Sequence, residues 1–129
     1  MHDLTGRTVL VTGASKGIGA ATARALGAAG ANVIPHYRSD ADGAAAADAD
    51  VPAERRLLCR ADLAEPAAAR ELWREALAWK GGVDVLVSNA AQMLASPLDS
   101  SDEAWDETWA STLAVNVAGP MALVREAAR

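Results

Sequence analysis

The chain has 129 residues, 51% of them apolar, and a formal net charge of −5. That length leaves room for a single domain over residues 1–129, which buries about two-thirds of the surface its unfolded chain exposes. Singly scattered arginines exclude the basic stripe of a nucleic-acid surface, and charge breaks every apolar window well short of the ~20 residues of a membrane span.

The N-terminal MHDLTGRTVLV lacks the basic, apolar and small-residue regions of an export signal, so a cytoplasmic setting is expected. Cys59 has no second cysteine to pair with and reads as a small buried hydrophobe. His2 and His36 have no neighbours at ligand spacing, and no metal site is expected.

Short apolar runs alternate with helical segments along the chain, the pattern of a parallel α/β sheet with crossover helices. Arg7–Thr12 is the first predicted strand. Gly17–Ala29 is the first helix, with Ile18, Ala21, Thr22, Ala25, Leu26 and Ala29 on one face and Gly30 closing it. Asn32–His36 is the second strand, in which Pro35 removes a ladder donor. Asp40–Asp48 is a short helix of alanines and acids, and Arg55–Arg60 the third strand. Glu65–Trp79 is a firm helix stopped by Gly81-Gly82; Asp84–Ser88 is the fourth strand and Ser96–Ser101 a polar loop. Asp102–Arg129 is helical to the end, with a break or kink near Gly119-Pro120 and local distortion at Asn116, a poor helix former. Trp73, Trp79, Trp105 and Trp109 read as core or interface packing.

The stretch TVLVTGASKGIG, Thr8–Gly19, joins the first strand to the first helix through a glycine turn. Unpaired N–H groups at a helix start carry about half a positive charge, which suits them to a pyrophosphate. Glycines keep the turn and the approaching phosphate free of a Cβ. A plain strand-to-helix turn is the bland alternative. A Walker loop is excluded because Lys16 is followed by Gly17, and the spacing Gly13, Gly17, Gly19 differs from the common G-x-G-x-x-G.

This string resembles the cofactor loop of the short-chain dehydrogenase/reductase family, with Gly13, Ser15, Lys16, Gly17, Ile18 and Gly19 as cofactor-binding positions. The resemblance implies a Rossmann-like three-layer sandwich, a parallel sheet of about four strands in the order 3-2-1-4. After the second strand, Tyr37 fills the position where an acidic residue would signal NAD; Arg38 and Ser39 follow, and Lys16 adds a second cation. Resemblance to NADP-preferring members thus implies NADP(H) over NAD(H), the alternative for Arg38 being a solvated loop charge. Asp62-Leu63 stands where the family's aspartate bonds the adenine amino group, or else caps the next helix. Asp84–Ala91 resembles the family's D-x-L-V-N-N-A-G: Asn89 would tie strand ends together and Ala90 follows, while Ser88 replaces an asparagine and Ala91 the closing glycine. Asn116 stands where the family keeps an asparagine whose backbone carbonyl holds a water in a proton relay, or is simply a polar residue at a bend.

The family's chemistry needs a serine and a Tyr-x-x-x-Lys pair, in which the tyrosine protonates a carbonyl oxygen while hydride leaves the nicotinamide. The one tyrosine here is Tyr37, and Ala41 stands four residues after it. Family members are about twice as long, so the resemblance covers their cofactor-binding half. Three readings follow: part of an NADP-dependent oxidoreductase cut short before its catalytic residues, a non-catalytic nucleotide module or half of a split enzyme, or a decayed fragment. The missing strand neighbours imply exposed apolar surface beside the fourth strand, and with it self-association or an absent C-terminal half. The dinucleotide is the expected partner, with a small-molecule substrate only in a complete protein.

Overall fold

The computed structural model describes residues 2–129. Four parallel strands, β1 (Thr8–Val11), β2 (Asn32–Tyr37), β3 (Cys59–Arg60) and β4 (Val85–Val87), lie in the order β3-β2-β1-β4. This is the order that the sequence implied. The helices are α1 (Gly17–Ala28), α2 (Ala41–Ala47), α3 (Pro66–Ala78), α4 (Asp102–Leu113) and α5 (Gly119–Ala127).

Alternation along the strands divides the core between two faces. Val9, Val11 and Val33 pack with Ala14, Ala23 and Ala47 on the side of α1 and α2. Leu10 and Ile34 pack with Leu72, Trp73 and Ala76 of α3 and with Ala122 and Leu123 of α5 on the other. Cys59 is buried in this second cluster. Burial first, and then the nearby Glu75 carboxylate, push its thiol up to about 12, so it stays protonated and inert.

Pro35 sits inside a strand with neighbours on both sides, and the ladder breaks where its N–H is missing. Val33 bridges Arg56, and pairing resumes only at His36 with Cys59. Arg55–Arg60 is therefore not one continuous strand: Ala53–Arg55 is a 3₁₀ turn after Pro52, and β3 keeps two residues. α1 also buries a different face from the expected one. Gly19, Ala23 and Gly27 face inward and Ile18 is 78% exposed. A Cβ on Gly27 would overlap the Val51 side chain, so small residues rather than bulky ones bring this helix onto the sheet.

The expected kink before α5 is a π turn, Ala114–Ala118, one turn earlier than Gly119-Pro120. Its i−5 bond runs from the Gly119 N–H to the Ala114 carbonyl. Pro120 has no N–H for the Asn116 carbonyl four residues back, and the helix widens there. Trp73 belongs to the core as expected, whereas α4 buries no residue at all and its Trp105 and Trp109 rings pack on each other at 6.0 Å. Trp109, Leu113, Val117, Met121 and Val124 form an exposed stripe along α4, the π turn and α5, and β4 is an edge strand with Val85 exposed.

Asp48, at the end of α2, is buried with neither carboxylate oxygen hydrogen-bonded. Its counter-charge is Arg56, whose Nη1 lies 3.8 Å from Oδ1 and donates to the Asp48 carbonyl. Desolvation raises the Asp48 pKa despite the guanidinium, so its contribution to stability is greatest below the unfolded-state value of 3.8 and is lost as pH rises through the folded-state value. Arg56→Leu is expected to lower stability by about 1–3 kcal/mol at pH 7, and by less at a second, acidic pH where more of Asp48 is protonated. Urea unfolding at both pH values checks this; equal losses would show that the charge on Asp48 is not responsible.

Candidate functional site

A cleft of about 640 Å³ opens at the C-terminal ends of the strands, where β1 is flanked by β2 on one side and β4 on the other. Its floor is the turn after β1. Gly13 (φ +66°) and Gly17 (φ +57°) adopt left-handed backbone that other residues avoid. Gly13 lies so close to the next wall that a Cβ would stand 2.8 Å from the Ala90 Cα. Gly17 has open space instead, so its requirement is conformational alone. Ser15, Lys16, Gly17 and Ile18 all line the cleft. Gly19 does not: it is buried beneath, where a Cβ would overlap the Gly13 carbonyl oxygen and the Asn89 amide. α1 has no acidic residue in its first turn, so nothing on the helix offsets the positive end of its dipole.

Tyr37, the last residue of β2, and Arg38 and Ser39 after it form the rim. Lys16 and Arg38 are exposed and, among the described residues, neither makes an ion pair. The Ser15 hydroxyl donates to the Asp40 carbonyl at 2.9 Å, and the Asp40 side chain caps α2 by accepting from Gly43 N–H. The glycine turn and the rim at the end of β2 are thus tied together.

On the third wall, Asp62 and Leu63 line the cleft. One Asp62 oxygen accepts from the Ala64 N–H at 3.0 Å, a local turn that begins the loop rather than a cap on α3, whose N-cap is Glu65, and the side chain remains exposed to the cleft. Asn89, Ala90 and Ala91 form the fourth wall. Asn89 Nδ2 donates to the Thr12 and Gly13 carbonyls at 3.1 and 3.2 Å, joining the ends of β1 and β4. Among the described residues Lys80 alone has a positive φ without being glycine, so the backbone at Ala91 needs no glycine.

Asn116 lies behind the cleft rather than on its surface, with its neighbour Val115 lining the wall. Its side chain accepts from the Gln92 N–H and donates to the Gln92 carbonyl, both at 2.8 Å, fastening the segment after β4 to the π turn. His36, Asp40, Ala61, Gln92 and Met93 line the cleft as well, and the sequence did not single them out as site residues. Thr12 was also missed: its Oγ1 accepts from the Asn89 and Ala90 N–H groups at 2.9 and 3.0 Å. The threonine that opens TGASKGIG was the available signal.

A profile of the short chain dehydrogenase family matches residues 7–129. The chain belongs to the short-chain dehydrogenase family. A 3beta-hydroxysteroid dehydrogenase 1 of Eggerthella lenta is 40% identical over 128 residues, covering 97% of this chain and 48% of that protein. Among solved structures, a short chain dehydrogenase from Burkholderia cenocepacia in complex with NADP is 37% identical, with a TM-score of 0.88 over 99% of this chain and 52% of its own. A blue fluorescent protein from a metagenomic library in complex with NADPH is 35% identical, with a TM-score of 0.86. This family member spans about half the length of these relatives.

Proposed function

We propose that this chain is the NADP-preferring nucleotide-binding part of a short-chain dehydrogenase/reductase oxidoreductase, folded as one domain over residues 1–129. The observation that carries this reading is a glycine turn and a helix N-terminus with no acidic residue in its first turn, facing a cleft whose rim holds two cations, Lys16 and Arg38, that make no ion pair among the described residues. The residues fit a dinucleotide. The N–H groups at the start of α1 suit a pyrophosphate, and Gly17 leaves space above the loop. Arg38 and Lys16 would pair with a 2′-phosphate, Asp62 and Leu63 would border the adenine, and Asn89 to Ala91 would back the nicotinamide side.

When bound, the reduced cofactor supplies a hydride to a carbonyl carbon. In this reading the Asn116 carbonyl, which has no i+4 donor because Pro120 lacks an N–H, would hold a water of the proton relay. The chain contains no Tyr-x-x-x-Lys pair to protonate the carbonyl oxygen, and by itself it is expected to bind nucleotide without turnover. The open β4 edge and the apolar stripe of α4 and α5 favour completion by further polypeptide, as a half enzyme completed in trans or as a longer chain. Clear NADPH consumption by the purified chain with a carbonyl substrate would overturn the inactivity.

Arg38→Ala tests cofactor choice. A charge-assisted hydrogen bond contributes about 1.5–3 kcal/mol, so NADP affinity is expected to fall about 10- to 150-fold while NAD affinity changes little. Equal losses for both nucleotides in titration calorimetry would show that Arg38 does not read the phosphate.

A further inference from the structure

His36 is 2% exposed at the end of β2, and two consecutive N–H groups of the cleft's glycine turn are committed to it. Its Nδ1 accepts from the Gly13 N–H at 3.1 Å, and its backbone carbonyl accepts from the Ala14 N–H at 2.9 Å. On the opposite edge of the ring, Nε2 lies 2.9 Å from the Ala61 carbonyl, just before Asp62 and Leu63. An N–H group only donates, so Nδ1 must be bare; a carbonyl only accepts, so Nε2 must carry the proton. Together the two bonds specify one tautomer of the neutral ring. They also join the turn after β1 to the segment after β3, the floor of the cleft to one of its walls.

We propose that neutral His36 is a positioning residue that holds the phosphate loop in its nucleotide-binding geometry, and that protonation of the ring releases the loop and weakens binding. This rests on the cofactor reading above. A proton on Nδ1 would face the Gly13 N–H donor to donor, and the turn would have to move away. Gly13 has little room to move, because Ala90 closes on its other side. The charged and titratable groups on the surrounding elements are Lys16 on the loop, Cys59, Arg60 and Asp62 around β3, and Tyr37, Arg38 and Asp40 beyond the ring on its own strand side. Among the described residues none of them bonds to the imidazole, so no carboxylate stabilises its charged form. Burial lowers the pKa from 6.5, opposed by the Ala61 bond. The neutral clamp is therefore intact above 6.5 and is lost as pH falls through the lowered value.

The test combines histidine ¹⁵N NMR of the full chain with calorimetric titration of NADP and NAD between pH 8 and pH 5. NAD is included because the 2′-phosphate of NADP itself titrates near pH 6. The ring of His36 is expected as the Nε2–H tautomer at pH 7.5. Wild-type affinity for NAD is expected to fall by about tenfold per pH unit once the ring charges. His36→Asn keeps an acceptor near the Nδ1 position but cannot titrate, and is expected to weaken binding only modestly and to flatten the acid limb. His36→Leu removes both bonds and is expected to weaken binding at pH 8 by more than His36→Asn. An Nδ1–H tautomer, or parallel acid limbs in wild type and His36→Asn, overturns the inference while leaving the cofactor reading standing. Absence of wild-type binding at pH 8 overturns the cofactor reading and this inference with it.

Discussion

Gly19→Ala is expected to abolish measurable nucleotide binding and to destabilise the fold by about 1–3 kcal/mol, the ordinary range for overpacking. The added methyl would overlap the Gly13 carbonyl oxygen and the Asn89 amide. Neither group can yield freely. The Gly13 carbonyl belongs to a turn held by His36, and Asn89 Nδ2 is engaged by two carbonyls. The strain therefore passes into the loop that faces the cleft, and the N–H groups at the start of α1 lose their aim. Gly17→Ala is the comparison for stability alone: its Cβ meets no protein atom within 4 Å, so its folding cost is the left-handed backbone, about 1–2 kcal/mol, while its methyl enters the space proposed for the pyrophosphate. Calorimetric titration and denaturant unfolding of both variants decide the matter. If Gly19→Ala bound nucleotide as well as the wild-type chain, the packing beneath the loop would not control the site.

Thr12→Val is expected to be strongly destabilising although it conserves volume. Thr12 is fully buried, and its Oγ1 is the shared acceptor for the Asn89 and Ala90 N–H groups. Valine fills the same volume but accepts no hydrogen bond, so two donors are orphaned at about 1–3 kcal/mol each. The loss should appear as a lower denaturant midpoint with an unchanged slope, and Thr12→Ser should recover most of it. Because the same two donors sit on the cleft wall proposed to back the nicotinamide side, the valine variant is also expected to bind NADPH more weakly. A midpoint within experimental error of wild type would mean that the β4 end does not depend on this hydroxyl.

Much of the architecture was legible because its signals are local. The glycine turn announces itself by residues that alone adopt positive φ, and the alternation of apolar runs with helices implies parallel crossovers. Asn89 and the distortion at Asn116 were read from single residues at motif positions, and both appear where they were expected. Other expectations failed where a neighbour distant in sequence decides. The inward face of α1 was expected to carry Ile18, Ala21, Thr22, Ala25, Leu26 and Ala29, yet packing against Val51 and the turn after β1 selects Gly19, Ala23 and Gly27. The third strand was drawn too long because the effect of Pro35 falls on its neighbour, across the β2–β3 ladder. Of the core or interface packing expected of Trp105 and Trp109, the core half fails, since α4 buries no residue in this chain.

By itself, then, the amino-acid sequence determined the class of fold, the phosphate-type turn and the residues around it, because backbone sterics and periodicity act over a few residues. The tertiary structure alone decided what supports that turn. Thr12 meets Ala90 across 78 positions and His36 meets Gly13 across 23, and a Cβ on Gly119 would run into the Leu63 carbonyl. A hydroxyl, an imidazole or a missing Cβ has many uses in an unfolded chain. Only the packed sheet, by burying each beside one partner and excluding water, selects which use it has.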